Sequence, residues 1–311
     1  MPLCTTILAG TLALSVPATS WGHGFAGKRF FPATLAVDDP FISDELSFVV
    51  NHIREADQET NELSLAYSKR ITPHFGIEFG DAYRIVRPNG EKTQKGFANL
   101  DLGTKYQFFT DGGHEALVSI GLNAEIGDTG SRSVGADSFS TISPAVFFGK
   151  GFGDLPEEVK YLKPLAITGA IGPNFPTRSR NVTWSADPDT GKIVREIEQN
   201  PTTLSWGFTL QYSLQYLQAY VKDVGLGTPL SRMILLVEFP FETCLNHGCS
   251  GGRTIGFVNP GVIWFGKYLQ LGIEAQIPVN HQTASHVGVL GMIHVFVDDL
   301  FPKSIGRPIF P

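Results

Sequence analysis

The sequence predicts an all-β fold, an antiparallel transmembrane β-barrel of about twelve strands. Several segments alternate apolar and polar residues almost without error, which is the pattern of strands with one apolar and one polar face. These segments reach the roughly 9 to 11 residues that a tilted strand needs to cross a bilayer. No stretch beyond the N-terminal region is apolar for about 18 residues, so the sequence excludes a helical membrane protein.

The alternation is clearest in the segment 268–280, where the odd positions are apolar and the even positions include Gln270 and Glu274. The segments 98–108 and 115–126 follow the same rule. Strands of soluble sandwiches alternate too, but they usually have about 5 to 6 residues. We therefore expect one face of each segment to contact lipid and the other to face a polar interior.

The N-terminus has the features of a secretory signal peptide. An apolar run over residues 5–17 is too short for a membrane-spanning helix and is followed by small residues, although no Lys or Arg precedes it. Cleavage is expected after Ser20 or Gly22. The predicted organisation is a signal peptide at 1–22, a periplasmic N-terminal segment at 23–42, a barrel at 43–297 and a periplasmic C-terminal tail at 298–311.

Twelve candidate strands follow one another along the chain, and an even number keeps both termini on the same side of the membrane. The links on that side include tight turns, whereas most links on the opposite side are longer. Two links on the side of the termini, 151–160 and 217–230, are long instead of short, so the strand boundaries predicted there are open to question. The candidate strands lie near residues 43–54, 59–71, 74–86, 96–109, 115–127, 138–149, 161–172, 203–216, 231–243, 254–265, 268–280 and 286–297.

Aromatic residues near the ends of the candidate strands are expected to form the girdles that mark the two membrane surfaces. The alternative is an ordinary aromatic core. The residues concerned are Phe147, Phe148, Tyr161, Trp264, Phe265 and Tyr268.

Charge and cysteine content narrow the class of protein further. A net charge of −6 gives no reason to expect a nucleic-acid partner. Cys244 and Cys249 lie in one short loop, and an oxidising periplasm or cell exterior favours a small disulfide ring. With His247 between them a metal site is conceivable, but three ligands fall short of the usual four-ligand zinc spacing. A disulfide or free thiols are therefore preferred to a metal site.

Charged and histidine side chains on the polar faces are expected to line the lumen of the barrel. Two interpretations stay open: a water-filled path that selects solutes by charge, or a paired, hydrogen-bonded core that plugs a small barrel. The predicted pore-lining residues are Glu78, Arg84, Asp101, Lys105, Glu115, Glu125, Glu274, His286 and His294.

His23 suggests the one cofactor hypothesis, a copper site. If the signal peptide is cut after Gly22, a free amine and an imidazole meet at the new N-terminus and form a strong copper chelate, which His52 or His74 could complete. A chain that begins at Trp21 would lack this chelate. The preferred alternative is that residues 23–31 form a basic, aromatic segment that anchors or plugs the barrel base.

Six segments together carry a resemblance to a known family. They are HGFAGKRFFPATL from His23, LDLGTKYQF from Leu100, GKGFGDLP from Gly149, WGFTLQYSLQYLQ from Trp206, NPGVIWFGKYLQLGIEAQIPVN from Asn259 and DDLFPKSIGRPIF from Asp298. The sequence resembles proteobacterial outer-membrane β-barrel proteins of the transporter and phenol-degradation MetA-pathway family. This resemblance implies a barrel in the bacterial outer membrane and a transport role, and it supplies no catalytic residues.

The sequence favours a channel or transporter over an enzyme. No Gly-x-Ser-x-Gly elbow occurs, and the adjacent residues Ser285 and His286 would face opposite sides of a strand. The expected function is passage of small molecules, hydrophobic or aromatic ones included, with membrane lipid and solutes as the partners. The alternatives are a copper-binding protein of the outer membrane or periplasm that uses His23, and a structural barrel without a conducting pore.

Overall fold

The computed structural model describes residues 24–186, 193–246, 249 and 252–310. No helix in this part of the chain is long and apolar enough to cross a membrane. The strands are β1 Phe25–Ala26, β2 Arg29–Phe30, β3 Glu45–Arg54, β4 Gln58–Thr72, β5 Phe75–Pro88, β6 Gln94–Phe97, β7 Leu100–Asp111, β8 Ala116–Ile126, β9 Thr141–Gly151, β10 Leu165–Pro176, β11 Arg180–Ala186, β12 Ile193–Gln199, β13 Thr203–Ser213, β14 Met233–Cys244, β15 Thr254–Phe265, β16 Leu269–Pro278 and β17 Gly288–Phe296. The short helical segments are Arg132–Val134, Glu157–Leu162, Leu214–Tyr216, Leu217–Val221, Leu230–Arg232 and Val297–Leu300.

Twelve long strands close into an antiparallel barrel, which confirms the predicted fold. Their order around the barrel is β4, β3, β17, β16, β15, β14, β13, β10, β9, β8, β7 and β5, and pairing between β4 and β5 closes the circle. The hairpins β1–β2 and β11–β12 form separate two-stranded sheets, and β6 adds to β5. Closure pairs the backbone of every wall strand on both sides and leaves no free sheet edge in the membrane.

The barrel has two ends, which we name by the course of the chain. The near rim is the end where β3 begins and β17 ends, and the far rim is the opposite end. The two long links that questioned the strand boundaries lie at the near rim, between β9 and β10 and between β13 and β14. Both hold helical segments, so they remain long even though β10 begins four residues later than predicted, at Leu165 rather than 161.

Alternate residues of the strands face outward and form an apolar belt around the barrel. In β16, Leu271 and Ile273 are 43% and 56% exposed. Their neighbours Gln270 and Glu274 are 0% and 2% exposed, because they point into the barrel. Large exposed apolar side chains also occur on other strands, including Phe48, Leu65, Phe79, Leu122, Val146, Ile171, Leu210, Leu235 and Val289. A closed barrel with this surface is stable in lipid rather than in water.

The C-terminal tail packs at the near rim beside the end of β4. Asp44 is fully buried there and binds Lys69 Nζ at 2.6 Å and Arg70 Nε at 2.8 Å. The same two basic side chains donate hydrogen bonds to backbone carbonyls of the tail at 305, 306 and 307. The tail is thereby tied to the barrel wall, and residues 298–310 add no further wall strand.

Candidate functional site inside the barrel

Residues 31–44, which we call the inserted segment, run inside the barrel. Three lumen-facing side chains of the wall donate hydrogen bonds to its backbone: Gln270 Nε2 to Ala33 O at 2.6 Å, Ser119 Oγ to Pro40 O at 2.6 Å and Lys105 Nζ to Asp39 O at 2.7 Å. An irregular segment is tolerated at membrane depth only where protein groups satisfy its backbone, and these wall side chains do so. The sequence predicted a periplasmic segment at 23–42, with plugging of the barrel base as one interpretation.

Glu238 on β14 holds the deepest part of the inserted segment. Its carboxylate accepts hydrogen bonds from three consecutive backbone N–H groups, those of Leu35 at 2.7 Å, Ala36 at 3.1 Å and Val37 at 2.6 Å. Successive N–H groups that converge in this way form a concave anion site. Glu238 is fully buried, so each of these hydrogen bonds is made away from water.

Glycines of the wall make room for the inserted segment. A Cβ atom at Gly272 would lie 2.7 Å from Leu35 Cδ1, and one at Gly207 would lie 3.0 Å from Val37 Cγ2. Both distances are shorter than ordinary van der Waals contact. The wall therefore fits this segment closely at two points on different strands.

A buried ion pair anchors the base of the inserted segment at the near rim. Arg29 of β2 is 1% exposed, and its Nε donates to Glu115 Oε2 at 3.0 Å. The guanidinium also donates to the backbone carbonyls of Pro164, at 2.9 Å, and Lys163. Tyr216 Oη donates to the second oxygen of Glu115 at 2.8 Å. Burial lowers the pKa of Arg29, although the neighbouring Glu115 carboxylate opposes this shift. Burial and the hydrogen bond to Glu115 both raise the pKa of Tyr216.

Among the described residues, a near cavity and a far cavity lie within the barrel on either side of the inserted segment. The near cavity has a volume of about 190 Å³ and is lined by the inserted segment and by β3, β4, β5 and β7. The far cavity, of about 860 Å³, extends to loop residues of the far rim such as Asp137 and Thr283. Asp38 lines both cavities, so the inserted segment forms the partition between them.

Seven of the nine predicted pore-lining residues lie on wall strands and fall into four groups. Asp101 and Glu125 line the far cavity, and Glu78 and Lys105 line the near one. Glu274 and His294 are buried on the inner face of the wall, at 2% and 1% exposure. Arg84 pairs with Glu62 at 2.5 Å.

Two predicted pore-lining residues lie elsewhere. Glu115 precedes β8 and belongs to the anchor at the near rim, where Arg29 buries it. His286 is exposed in the loop between β16 and β17, because β17 begins at Gly288 rather than at 286. The strand prediction extended too far in both cases, so the alternation was applied to residues outside the wall.

Sequence reasoning missed several residues of the site, above all Glu238. In β14 the inward positions next to it are Ile234 and Leu236, which are buried, while Leu235 faces outward. Apolar residues on both faces hide the alternation in this strand. Asp38 and Asp39 were missed because they lie in a segment with no strand pattern.

The prediction that Phe147 belongs to an aromatic girdle at the membrane surface is wrong. It is 2% exposed, lines both cavities and lies under the ammonium group of Lys105, 4.6 Å from ring centroid to Nζ. Phe265 is also buried, against Phe30 of the β2 strand with 4.8 Å between ring centroids. Tyr161 and Tyr268 are exposed near the near rim, as girdle residues would be.

The structure places the two proposed partners of His23 in the copper hypothesis at opposite ends of the barrel. His23 lies outside the described residues. His52 lies toward the far end of β3, where its Nδ1 is 2.9 Å from Asn61 Oδ1, whereas His74 is exposed in a near-rim turn. Within the described residues no three His, Cys, Asp or Glu side chains form a group that could hold a metal ion.

The cysteine loop and the Ser-His pair lie at the far rim. Cys244 and Cys249 form a disulfide with Cα atoms 6.0 Å apart, and His247 is outside the described residues. Ser285 and His286 are not on a strand, which corrects the expectation that they face opposite sides: Ser285 Oγ is 2.8 Å from His286 Nδ1. The same hydroxyl is 2.8 Å from the backbone carbonyl of Glu55, and no described carboxylate forms an ion pair with His286.

The fold is shared with solved outer-membrane proteins. An outer membrane channel from Pseudomonas putida F1 aligns with a TM-score of 0.54 and 9% identity, over 86% of this chain and 99% of that one. The KdgM porin aligns with a TM-score of 0.45 and 12% identity, over 80% and 98%, and the NanC porin with 0.46 and 10%, over 81% and 98%. No protein-family model and no curated protein matches the sequence. The chain therefore has the fold of a twelve-stranded antiparallel β-barrel of the kind found in outer-membrane proteins.

Proposed function

We propose that this protein is an outer-membrane channel for small molecules whose lumen is controlled by the inserted segment. The observation that carries the proposal is the far cavity of about 860 Å³, which the inserted segment separates from the near cavity. A volume of this order accommodates small organic molecules. A barrel that served only as a structural support would not need an internal cavity of this size.

The side chains that line the far cavity favour solutes with an apolar or aromatic body. Besides its carboxylates it is lined by inward-facing aromatic rings and prolines: Phe139, Phe147, Pro176, Pro201, Pro240 and Phe257. Flat apolar surfaces of this kind bind flat apolar solutes. This agrees with the resemblance to the phenol-degradation MetA-pathway family, whose substrate class remains a prediction for this chain.

The orientation follows from the expected export route. A chain that enters the outer membrane from the periplasm would keep its N- and C-terminal segments there, at the near rim. In the proposed arrangement the far cavity therefore opens toward the cell exterior, and the Cys244–Cys249 loop lies on that oxidising side.

A reversible cross-link between the inserted segment and the wall tests the proposal. We suggest Leu35→Cys with Gly272→Cys, since Leu35 Cδ1 and a Cβ at Gly272 would be 2.7 Å apart. Leu35 Cδ1 is two bonds from Leu35 Cβ, so the two Cβ atoms can approach the roughly 3.5 to 4.5 Å that a disulfide needs. The measurement is conductance in planar bilayers, before and after reduction, with each single cysteine variant as a control.

We expect low conductance in the cross-linked protein and a rise of about tenfold or more after reduction. Liposome swelling with phenol and with a sugar of similar size then compares the solutes, and phenol should enter faster. Equal conductance in the cross-linked and reduced forms, or failure of the pair to cross-link, would overturn control by the inserted segment. No conductance in any form would identify a structural barrel instead.

A further inference from the structure

The two cavities are strongly acidic. Nine carboxylates and one lysine make up the ionisable side chains among the described residues that line them. The carboxylates are Asp38, Asp39, Glu45, Glu55, Glu78, Asp101, Glu125, Asp137 and Glu242, and the lysine is Lys105. The far cavity has no Lys, Arg or His in its described lining.

The basic groups that face the lumen are already engaged. Lys105 Nζ lies 4.0 Å from Asp39 Oδ1 and donates to the backbone carbonyl of the same residue at 2.7 Å. Arg84 is held by Glu62 at 2.5 Å. Neither cation lines the far cavity, so the charge of that cavity is not neutralised by its own lining.

One pair of carboxylates lies where repulsion is expected. Asp101 on β7 is the direct cross-strand partner of Glu125 on β8, and both line the far cavity. Like charges directly opposite each other destabilise a sheet. Glu125 accepts a hydrogen bond from Asn99 Nδ2 at 2.8 Å, whereas no described basic side chain forms an ion pair with Asp101. A mobile cation in the cavity would relieve this repulsion.

The inserted segment continues the acidic lining to the near side. Asp38 lines both cavities, and Glu45 and Glu78 follow in the near cavity. Carboxylates in a narrow lumen with low-dielectric walls concentrate cations, and rings of Asp and Glu give channels their cation preference. The aromatic rings of Phe139 and Phe257 in the far cavity add faces that attract ammonium groups.

We propose that this channel prefers cations among charged solutes, with small organic ammonium ions among them, and that Asp101, Glu125 and Asp137 determine this preference at the far entrance. The inference rests on the proposed channel function and specifies its substrate class. It predicts that chloride and organic anions are disfavoured along the whole path.

The test is the reversal potential of the reduced Leu35→Cys/Gly272→Cys protein in planar bilayers with a potassium chloride gradient at neutral pH. We expect a potassium-to-chloride permeability ratio of about five or more, and a measurable tetramethylammonium current. Replacing the entrance carboxylates by Asp101→Asn, Glu125→Gln and Asp137→Asn should bring the ratio close to one. A matched control removes three exposed carboxylates outside both cavities, by Glu91→Gln, Glu158→Gln and Asp223→Asn, and should leave the ratio unchanged.

Heat-modifiable migration on a gel shows which variants have folded, and the comparison uses those. A ratio near or below one in the unsubstituted channel overturns the inference but leaves the channel function standing. An equal fall in both triple variants assigns the selectivity to overall charge and overturns the role of the entrance carboxylates. If no form conducts, the proposed function fails, and the inference fails with it.

Discussion

At the scale of single residues, Glu238 is the side chain on which the inserted segment depends most. Glu238→Ala removes the acceptor of three buried N–H groups, and each unsatisfied buried donor costs about 1 to 3 kcal/mol. We expect hydrogen exchange at Leu35, Ala36 and Val37 to accelerate about a hundredfold or more. Glu238→Gln keeps one carbonyl acceptor and should have a smaller effect.

The matched control for this experiment is Glu242→Gln on the same strand, which lines the far cavity and accepts no hydrogen bond from the inserted segment among the described contacts. Exchange at the three amides should stay slow in that variant. Unchanged exchange in Glu238→Ala would show that the wall does not hold the segment through this carboxylate.

Asp39 gives the inserted segment a dependence on pH. Burial raises the pKa of Asp39 from 3.8 to about 6, although Lys105 opposes the shift. Because the folded state binds this proton more tightly than the unfolded state, the contribution of Asp39 to stability is greatest below pH 4 and is lost as pH rises to about 6. Carbon-13 NMR of the labelled carboxyl should show a titration near pH 6, absent in Asp39→Asn. A midpoint near the ordinary value of 3.8 would mean that this carboxyl is open to water.

At the scale of elements, the hairpin β1–β2 is fixed to the barrel by one buried ion pair. Glu115→Gln leaves Arg29 buried without its counter-charge, and breaking a buried pair costs about 3 to 5 kcal/mol. We expect trypsin to cleave after Lys28 or Arg29 at least tenfold faster in this variant, because the hairpin leaves the rim more often.

Glu157→Gln is the control at the same rim. Its partner is Lys163, but Glu157 is 76% exposed, and solvent screening leaves exposed pairs with little effect on stability. Its cleavage rate should match that of the original protein. Equal rates in all three proteins would show that the buried pair does not anchor the hairpin.

The elements also show what the sequence could and could not predict. The strands β7, β8 and β16 were predictable because their two faces meet different solvents, and their polar and apolar residues alternate accordingly. β14 also alternates between an inner and an outer face, but its inner face includes apolar residues such as Leu236. Its sequence therefore lacks the polar–apolar alternation that would have marked Glu238 as lumen-facing. The path of residues 31–44 depends on contacts with distant strands, and no local pattern records such contacts.

At the scale of the whole molecule, the alternation of side chains along each strand suits two environments, lipid outside the barrel and a polar lumen inside it. Outward side chains such as Leu102 meet lipid, and inward ones such as Gln270 satisfy the backbone of the inserted segment. The number of wall strands and the closure of the barrel could be predicted from the sequence by counting the alternating segments. The division of the lumen into two cavities did not, because it requires the position of a segment that is neither strand nor helix.

Accessibility of two adjacent residues tests the central claim, that the barrel has a lipid-facing outside and an aqueous lumen. Spin labels at Leu102→Cys and at Asp101→Cys sit on opposite faces of β7, one outward and one in the far cavity. In lipid vesicles, oxygen collides preferentially with labels in lipid, and a water-soluble nickel complex with labels in water. We predict that oxygen dominates at 102 and the nickel complex at 101; equal accessibility at both positions, or the reverse order, would contradict the account.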